Sequence, residues 1–588
     1  MLLDRSAGIL LHPTSLPGNE GIGTLGKTAY EYIDWLHAAH MRLWQVLPLG
    51  PTGYGDSPYA AFSSFAGNPL LIDLETLVEQ GLLNADDIAL PDYLSAEGKV
   101  DFGSVVYWKL PLLKKAAERF VTELKKPAGQ DEAARNEAYR LFVKSKKHLG
   151  EYALFMSIKE TYDIKAQQEK VWGKLWNNYW PKDLARCEPA ALKAWTQEHR
   201  REIELHKVIQ FFFFEQWKRL KTYANERGIS IIGDIPIFVA PDSADVWANQ
   251  ALFQLNEDGV PIAVAGVPPD YFSATGQLWG NPLYNWEAMK ADKYRWWIDR
   301  IEACLELTDY IRIDHFRGFE AYWAVPFGAP TAERGEWLPG PDHHFFEAVQ
   351  RALLKKSGAY AKGLPIIAED LGVITPRVER LRDDFHLPGM KVLQFAFSAA
   401  EVRERGFTDS FLPHTYTQNA VVYTGTHDNT TLRAWLDTLC RDDFEVLLFY
   451  LSGEQPDSEL LDELFPPEKS GQEQAIRNGT QDAPQQAESS VNVPNASGEN
   501  TDRPAADSLK DELCGELIKE AFFSTAVFAV IPFQDLYALG AEARMNEPAT
   551  LGKNWAWRME RGLFTPECAG WLGNLVTVSG RCGQPQRV

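Results

Sequence analysis

Cysteine is scarce in this sequence, and the few cysteines are not grouped for metal binding or cross-linking. The 588 residues contain six cysteines, with no C-x-x-C pair and no histidine at ligand spacing. A zinc site or a disulfide framework requires such groupings. We therefore expect no metal and no cofactor, and a reducing compartment. The cysteines are Cys187, Cys304, Cys440, Cys514, Cys568 and Cys582.

Long apolar runs are also missing. No stretch approaches the length of about 18 apolar residues that a membrane-spanning helix needs. The amino terminus lacks the basic-then-apolar order of a secretory signal. These absences predict a protein of the cytoplasm that makes no membrane contact.

Positive charge is in deficit. The chain has 59 Lys and Arg against 81 Asp and Glu, a formal net charge of −22. The resulting negative field repels nucleic acid, anionic membranes and acidic ligands, so a neutral substrate fits better. Aromatic residues make up 12% of the chain, which serves either a large core or stacking against sugar rings.

One stretch, Tyr310 to Gly318, places a carboxylate between two arginines and reads YIRIDHFRG. As a strand it puts Tyr310, Arg312 and Asp314 on one face. A guanidinium beside Asp314 keeps that carboxylate ionised and able to act as a nucleophile. By itself, the segment fits a catalytic site and a structural ion pair equally well.

Short apolar runs alternate with helical patterns along most of the chain. Parallel strands separated by helices are the pattern of a (β/α)8 barrel. We therefore predict an α/β fold in which residues 1–588 form a single catalytic (β/α)8 TIM barrel. The predicted strands are centred near Ile9, Gln45, Ile231, Ile311, Ile367, Leu393, Val422 and Phe528.

Three regions are predicted to interrupt the barrel. Residues 70–207 are polar and helical in pattern, which indicates an inserted helical subdomain. Residues 240–286 form a long connection, typical of a lid or binding loop. Residues 466–508 contain no Phe, Tyr or Trp and are dense in Gln, Asn, Ser, Glu and Pro. We predict a disordered low-complexity insertion there, before the last strand.

Acidic residues close four of the predicted strands: Asp234, Asp314, Glu369 and Asp428. A barrel gathers its strand ends at the C-terminal mouth, where such enzymes keep their active sites. One acid at a strand end is weak evidence. Four together favour a carboxylate active site over structural ion pairs.

A glycine-rich segment, Gly21 to Thr28, fits both the phosphate-loop and the dinucleotide-binding patterns. A phosphate loop leaves a strand directly and enters a helix. Here Pro13, Pro17 and Gly18 separate the segment from the first strand. We interpret it as a glycine-rich turn.

Converging acids without a metal cluster, a Ser-His-Asp signature or a cofactor loop favour glycosyl chemistry. This chemistry needs an ionised carboxylate to attack the anomeric carbon and a protonated one to give the leaving oxygen a proton. Asp314 beside Arg312 suits the first role. Glu369 follows an apolar run, and desolvation there suits the second role.

The sequence resembles the 4-alpha-glucanotransferases, also called amylomaltases or disproportionating enzymes, which are relatives of the alpha-amylase clan. The resemblance covers most of the chain, and the sequence departs from the family pattern at 466–508 and beyond Trp571. It rests on six motifs: His12 to Gly18, Leu49 to Tyr59, Arg312 to Gly318, Ala368 to Gly372, Gly425 to Asn429 and Glu542 to Asn546.

The resemblance implies transfer of an alpha-1,4-glucan segment to a new 4-position by a retaining double displacement. It implies Asp314 as nucleophile, Glu369 as acid/base and Asp428 as transition-state stabiliser. The implied sugar contacts are Arg312, His427 and Asp234 around the reacting unit, with Tyr59 and the loop residues Tyr271 and Phe272 further out. Trp279 offers one more ring for such contacts.

Three alternatives stay open at this point. An alpha-1,4-glucan hydrolase of the alpha-amylase type would share every catalytic residue, and a branching enzyme would form 1,6 links. A glucan-binding protein without activity is disfavoured because all three acids are present. The expected partners are maltooligosaccharides and alpha-1,4-glucans, with no nucleic acid and no membrane, and the expected state is a monomer or weak homo-oligomer.

Overall fold

Twelve strands occur in the described residues of the computed structural model, which are 4–53, 55–126, 129–269, 273–466, 505–550 and 552–582. Eight of them form one sheet and four form another. In chain order they are β1 (Ser6–Leu10), β2 (Leu43–Gln45), β3 (Ser230–Pro236), β4 (Ala263–Val267), β5 (Gln277–Pro282), β6 (Tyr310–Asp314), β7 (Ala321–Pro326), β8 (Glu336–Pro339), β9 (Ile366–Ala368), β10 (Gly389–Val392), β11 (Ala420–Tyr423) and β12 (Phe528–Pro532).

The eight-stranded sheet closes into a barrel. Its order is β10-β11-β12-β1-β2-β3-β6-β9, and every neighbouring pair is parallel. Between the two ends of that order, the Ala368 N–H donates to the Pro388 carbonyl at 2.9 Å. Each strand lies where the sequence predicts one, except that Leu393 falls one residue beyond β10. The (β/α)8 prediction is confirmed.

Helices connect and cover the barrel strands. In the described residues they are α1 (Lys27–Ala38), α2 (Leu74–Glu79), α3 (Phe102–Glu123), α4 (Gln130–Ser145), α5 (Leu149–Glu169), α6 (Trp176–Tyr179), α7 (Lys182–Ala185), α8 (Pro189–Glu198), α9 (Arg200–Glu226), α10 (Ala244–Ala248), α11 (Trp286–Ala291), α12 (Arg295–Leu307), α13 (Asp342–Lys356), α14 (Pro376–Asp384), α15 (Ala399–Arg405), α16 (Leu432–Thr438), α17 (Arg441–Ser452), α18 (Ser458–Leu464), α19 (Ala505–Phe523), α20 (Phe533–Leu536) and α21 (Pro566–Val578).

The region between β2 and β3 is helical from α2 to α9. It spans the predicted insertion at 70–207, and α9 continues beyond it to Glu226, with every residue from Val208 to Phe213 buried. Phe120 of α3 packs edge-on against Phe212 of α9, with ring centroids 5.7 Å apart. The inserted helices therefore pack on the helix that leads into β3.

A second sheet was not anticipated from the sequence. Its order is β5-β4-β7-β8, with antiparallel neighbours. Two of its strands and α10 lie in the range 240–286, which was expected to be one long loop. Glycines obscure the pattern: at Gly266 an added Cβ would lie 2.5 Å from the Gln277 carbonyl oxygen. The close approach of β4 and β5 requires a residue without a side chain there.

Residues 21–26 of the glycine-rich segment form a turn, as expected, and Lys27 and Thr28 begin α1. A 3-10 helix at Pro13–Ser15 separates it from β1. Thr24 donates a hydrogen bond to the Asp73 carboxylate at 3.0 Å, and a Cβ on Gly26 would collide with that same carboxylate. Since a carboxylate repels anions, this surrounding disfavours a bound phosphate.

Several sequence-based predictions fall on positions that the structure does not describe. Tyr271, Phe272 and most of 466–508 lie outside the described residues. At the end of that last range, the structure corrects the prediction of disorder: residues 505–508 form the first turn of α19. Of the described helices, none combines the length and the apolar character that crossing a membrane would require.

Candidate active site

Arg312 joins two carboxylates at the C-terminal mouth of the barrel. Its two terminal nitrogens donate to Asp234 Oδ2 and Asp314 Oδ1, each at 2.6 Å. The side chains of Arg312 and Asp234 are 4% and 0% exposed, whereas that of Asp314 is 30% exposed. Burial opposes the charge on Arg312, but the two carboxylates together raise its pKa. Asp314 is therefore a partly exposed side chain bonded to a permanent cation.

The alternation of β6 explains this placement. Ile311 and Ile313 are fully buried in an apolar cluster, while Tyr310 packs against Phe528 of β12 at 5.4 Å between ring centroids. Tyr310, Arg312 and Asp314 share one face, as the period of two predicts, and the structure directs that face into the barrel.

Asp234 comes from the neighbouring strand β3, whose register sets it directly opposite Arg312. Burial raises the pKa of Asp234, and the charge of Arg312 opposes that shift. Its Oδ2 also accepts a hydrogen bond from the Tyr59 hydroxyl at 2.7 Å. The predicted contact between Asp234 and the reacting centre therefore runs through Arg312 and Tyr59.

Glu369 follows β9 directly and lies beside the end of β6. Its Oε2 accepts from the His315 N–H at 2.7 Å, and its Oε1 accepts from the Leu371 N–H at 2.9 Å. Desolvation, followed by repulsion from Asp314, raises the pKa of Glu369 to about 8. A carboxyl group with this pKa holds its proton at neutral pH and can donate it. Glu369 therefore holds the proton that a general acid needs, and it lies close to Asp314, which is bonded to Arg312.

Asp428 lies in the turn after β11 and is held by the segment that follows β12. Asn546 donates to Asp428 Oδ1 at 2.6 Å, and Arg544 donates to the Asp428 carbonyl oxygen at 2.8 Å. His427 Nε2 is 3.4 Å from the same carboxylate. The side chain of Asp428 is 44% exposed, so part of it is open to solvent at the mouth of the barrel.

Tyr59 links Asp234 to His427. Its ring stacks on the ring of His427 with centroids 4.9 Å apart, and its hydroxyl lies 3.4 Å from His427 Nδ1. Together with the bond to Asp234, these contacts bring the predicted residues Tyr59, Asp234 and His427 into one network. Its members come from the connection after β2, from β3 and from the turn after β11.

Trp279 approaches the mouth from the second sheet. It is 38% exposed and meets His315 edge-on at 4.8 Å between ring centroids. Burial lowers the pKa of His315 to about 4, so this imidazole is neutral at physiological pH. The structure therefore places Trp279 next to the residue after Asp314, where its ring can contact a bound sugar.

Sequence reasoning missed three residues of this site: His315, Arg544 and Asn546. His315 has a left-handed backbone with φ of 54°, which turns the chain sharply after Asp314. Arg544 and Asn546 belong to the quoted motif Glu542 to Asn546, so a signal was present. No pattern in the sequence indicated that they would bond to Asp428.

A parallel (β/α)8 barrel with several carboxylates at its C-terminal mouth is the arrangement of enzymes that act on glycosidic bonds. A family model described as 4-alpha-glucanotransferase matches residues 11–564. The 4-alpha-glucanotransferase of Synechocystis sp. is 42% identical over 586 residues, 99% of each chain. That of Thermus thermophilus is 42% identical over 584 residues, 99% of this chain and 100% of the relative.

A solved structure agrees with these matches. The amylomaltase from Streptococcus agalactiae in complex with acarbose is 33% identical, with a TM-score of 0.80 over 99% of this chain and 100% of that one. The chain therefore belongs to the 4-alpha-glucanotransferase family and is an enzyme with this activity. The resemblance drawn from the motifs is confirmed, and the hydrolase alternative is not supported.

Proposed function

We propose that this enzyme moves a segment of an alpha-1,4-glucan to the 4-hydroxyl of an acceptor, either glucose or another alpha-1,4-glucan, by a retaining double displacement. In the first half, an Asp314 oxygen forms a bond to the anomeric carbon as the bond to the leaving O4 breaks. Glu369 gives its proton to that O4. The leaving glucan departs, and a glycosyl-Asp314 ester remains.

In the second half, the acceptor 4-hydroxyl attacks the anomeric carbon. Glu369, now a carboxylate, takes the hydroxyl proton, and the bond to Asp314 breaks. Two displacements at one carbon restore the alpha configuration. Asp428, fixed by Asn546 and exposed on one face, stabilises the positive charge that develops on the sugar ring in both halves.

One observation carries these roles: Asp314 is bonded to a buried cation while Glu369, joined to the same strand end through the His315 N–H, has a raised pKa. A nucleophile must be ionised and an acid must be protonated at the same pH. The two carboxyl groups are predicted to lie about 5 to 5.5 Å apart, the spacing of retaining enzymes.

Transfer must compete with water for the glycosyl-enzyme. An acceptor held in line by remote glucose units gains an effective concentration far above its bulk value. Tyr59 and Trp279 supply rings for such contacts, and the predicted contacts of Tyr271 and Phe272 would extend them. The substrates are neutral glucans, which suits a chain of net charge −22. A location in the cytoplasm and a monomeric or weakly associating state stay predictions.

Incubation with maltotriose tests the proposal. We expect glucose and a ladder of longer maltooligosaccharides, with a nearly constant number of reducing ends. Asp314→Asn, which keeps the shape but cannot attack, should lower turnover at least about 10³-fold with the fold retained. A steady rise in reducing ends without longer products would indicate a hydrolase. New 1,6 links in the products would indicate a branching enzyme.

A further inference from the structure

The loop between Glu369 and α14 has an exposed centre. Gly372 has a left-handed φ of 82°, and Val373 is 61% exposed. The ends of the loop are fixed, because Asp370 bonds to Arg382 and to the Met390 N–H and Thr375 caps α14. The centre needs a contact from another element to hold one conformation.

Arg317 provides such a contact from the 3-10 helix Phe316–Phe319, which follows β6. The residue is 7% exposed, and its guanidinium donates to the Val373 carbonyl oxygen. The same guanidinium lies over the Trp337 ring of β8, with its central carbon 3.9 Å from the ring centroid. A planar cation on an aromatic face is held in orientation as well as in position. Arg317 thus connects the 3-10 helix after β6, the second sheet and the loop.

The loop carries a group that contacts the proposed acid/base. The Leu371 N–H donates to Glu369 Oε1 at 2.9 Å, and the opposite oxygen accepts from the His315 N–H at 2.7 Å. Hydrogen bonds from N–H groups stabilise the carboxylate over the acid. The Leu371 N–H is two residues from Val373, so its direction depends on where the loop centre is held.

We propose that Arg317 is a positioning residue for the acid/base: by holding the Val373 carbonyl, it fixes the loop whose Leu371 N–H donates to Glu369. This inference rests on the role proposed for Glu369. Arg317 acts indirectly, because its side chain lies between Val373 and Trp337. Its influence on the reaction runs through the main chain of the loop.

The chemistry explains why such a device matters. Glu369 must be an acid in the first half-reaction and a base in the second, so its pKa must stay near the working pH. Asp314 raises that pKa and Arg312 lowers it, both from β6. Asp370 is bonded to Arg382, and His315 is neutral. With these charges fixed in place, the hydrogen bond from the Leu371 N–H lowers the pKa of Glu369 and so favours its carboxylate form.

The test compares Arg317→Ala and Arg317→Lys in the full-length enzyme, with kcat and KM for maltotriose measured across pH. In Arg317→Ala we expect the alkaline limb of the kcat/KM profile to move upward by about half a unit to one unit. We expect kcat to fall about tenfold, because the base form that the second half-reaction needs becomes scarcer, and KM to fall with it, because the first half-reaction is not slowed. Arg317→Lys, which can still donate to Val373, should restore part of both.

The matched control is Arg380→Ala, which removes an exposed arginine from α14 and should leave the profile unchanged. An equal loss of rate at every pH, with both limbs of the profile unmoved, would overturn the inference.

If Arg317→Ala does not fold, Trp337→Leu is the second variant. It removes the ring that stacks on Arg317, and the fold should tolerate it because Trp337 is 40% exposed. The same upward shift of the alkaline limb is expected. Glu369→Gln separates the two claims: an active Glu369→Gln enzyme refutes the proposed function, whereas an inactive one with an unmoved limb in Arg317→Ala refutes only this inference.

Discussion

Tyr59 and Asp234 are 175 residues apart in the chain, yet the Tyr59 hydroxyl donates to Asp234 Oδ2 at 2.7 Å. The Asp234 side chain is fully buried and forms an ion pair with Arg312. Asp234 Oδ1 has no hydrogen-bond partner within the described part of the chain. The tyrosine therefore supplies part of the compensation that a buried carboxylate requires.

Tyr59→Phe removes this hydrogen bond and keeps the ring stacked on His427. We expect kcat/KM to fall about tenfold, since a hydrogen bond to a charged group is lost beside the reacting centre. Steady-state kinetics with maltotriose measure this. Tyr59→Ala, which also removes the stacked ring, should lose more. Equal values for the Phe variant and the parent enzyme would show that the hydroxyl is not needed.

Arg312→Met leaves two carboxylates without their buried cation. We expect the free energy of unfolding to fall by about 3–5 kcal/mol, the usual cost of an unpaired buried charge, together with a loss of activity. Thermal unfolding reports the stability. Adding Asp234→Asn to this variant should recover part of the loss because it removes the buried charge. No recovery would mean that packing, not charge, sets the cost.

The raised pKa of Glu369 predicts how activity depends on pH. The first half-reaction needs the acid form, so kcat/KM should fall as the pH rises through about 8. The pH dependence of the free energy of unfolding should also reflect the titration of Glu369. Between its ordinary pKa of 4.5 and about 8, the folded chain binds a proton that the unfolded chain has lost, so this group's contribution to stability decreases as the pH rises.

Glu369→Gln checks the stability part of that prediction. The amide has no proton to lose. Between about pH 5 and about pH 9, which covers the titration of Glu369, the melting temperature of the variant should therefore decline less than that of the parent enzyme. The activity of the variant should be low at every pH. An identical decline in both proteins would show that other groups dominate the pH dependence of stability.

Trp279→Ala tests the contribution of the second sheet to acceptor binding. We expect KM for a glucose acceptor to rise about tenfold, equivalent to about 1.4 kcal/mol, with more hydrolysis per transfer because water competes better. Product sizing and a reducing-end count measure both. Trp172→Ala is the control, since this tryptophan is 82% exposed on the helical insertion and should have no effect.

Deletion of residues 467–504 with a short Gly/Ser linker should leave activity largely unchanged, because the segment lacks aromatic residues and a surface linker adds little closure cost. Extending the deletion through Ser508 should reduce the melting temperature. That change removes the first turn of α19 and the Asp507 carboxylate, which lies 2.7 Å from Arg433. Differential scanning calorimetry compares the two.

The sequence alone predicted the barrel and its acids because both signals are local. Alternating strands and helices, and an acid at the end of a strand, appear within a few neighbouring residues. The period of two in β6 also predicted that Tyr310, Arg312 and Asp314 share one face of the strand. The proton-donor role was assigned to Glu369 because this residue follows an apolar run.

The tertiary structure alone decided what surrounds those acids. Asn546 reaches Asp428 across 118 positions, and Tyr59 reaches His427 across 368. Contacts of this kind depend on how whole elements pack, and no local pattern encodes them. The second sheet was hidden for a related reason: β4 and β5 pair closely only because Gly266 lacks a side chain, and glycine weakens the very pattern by which strands are predicted.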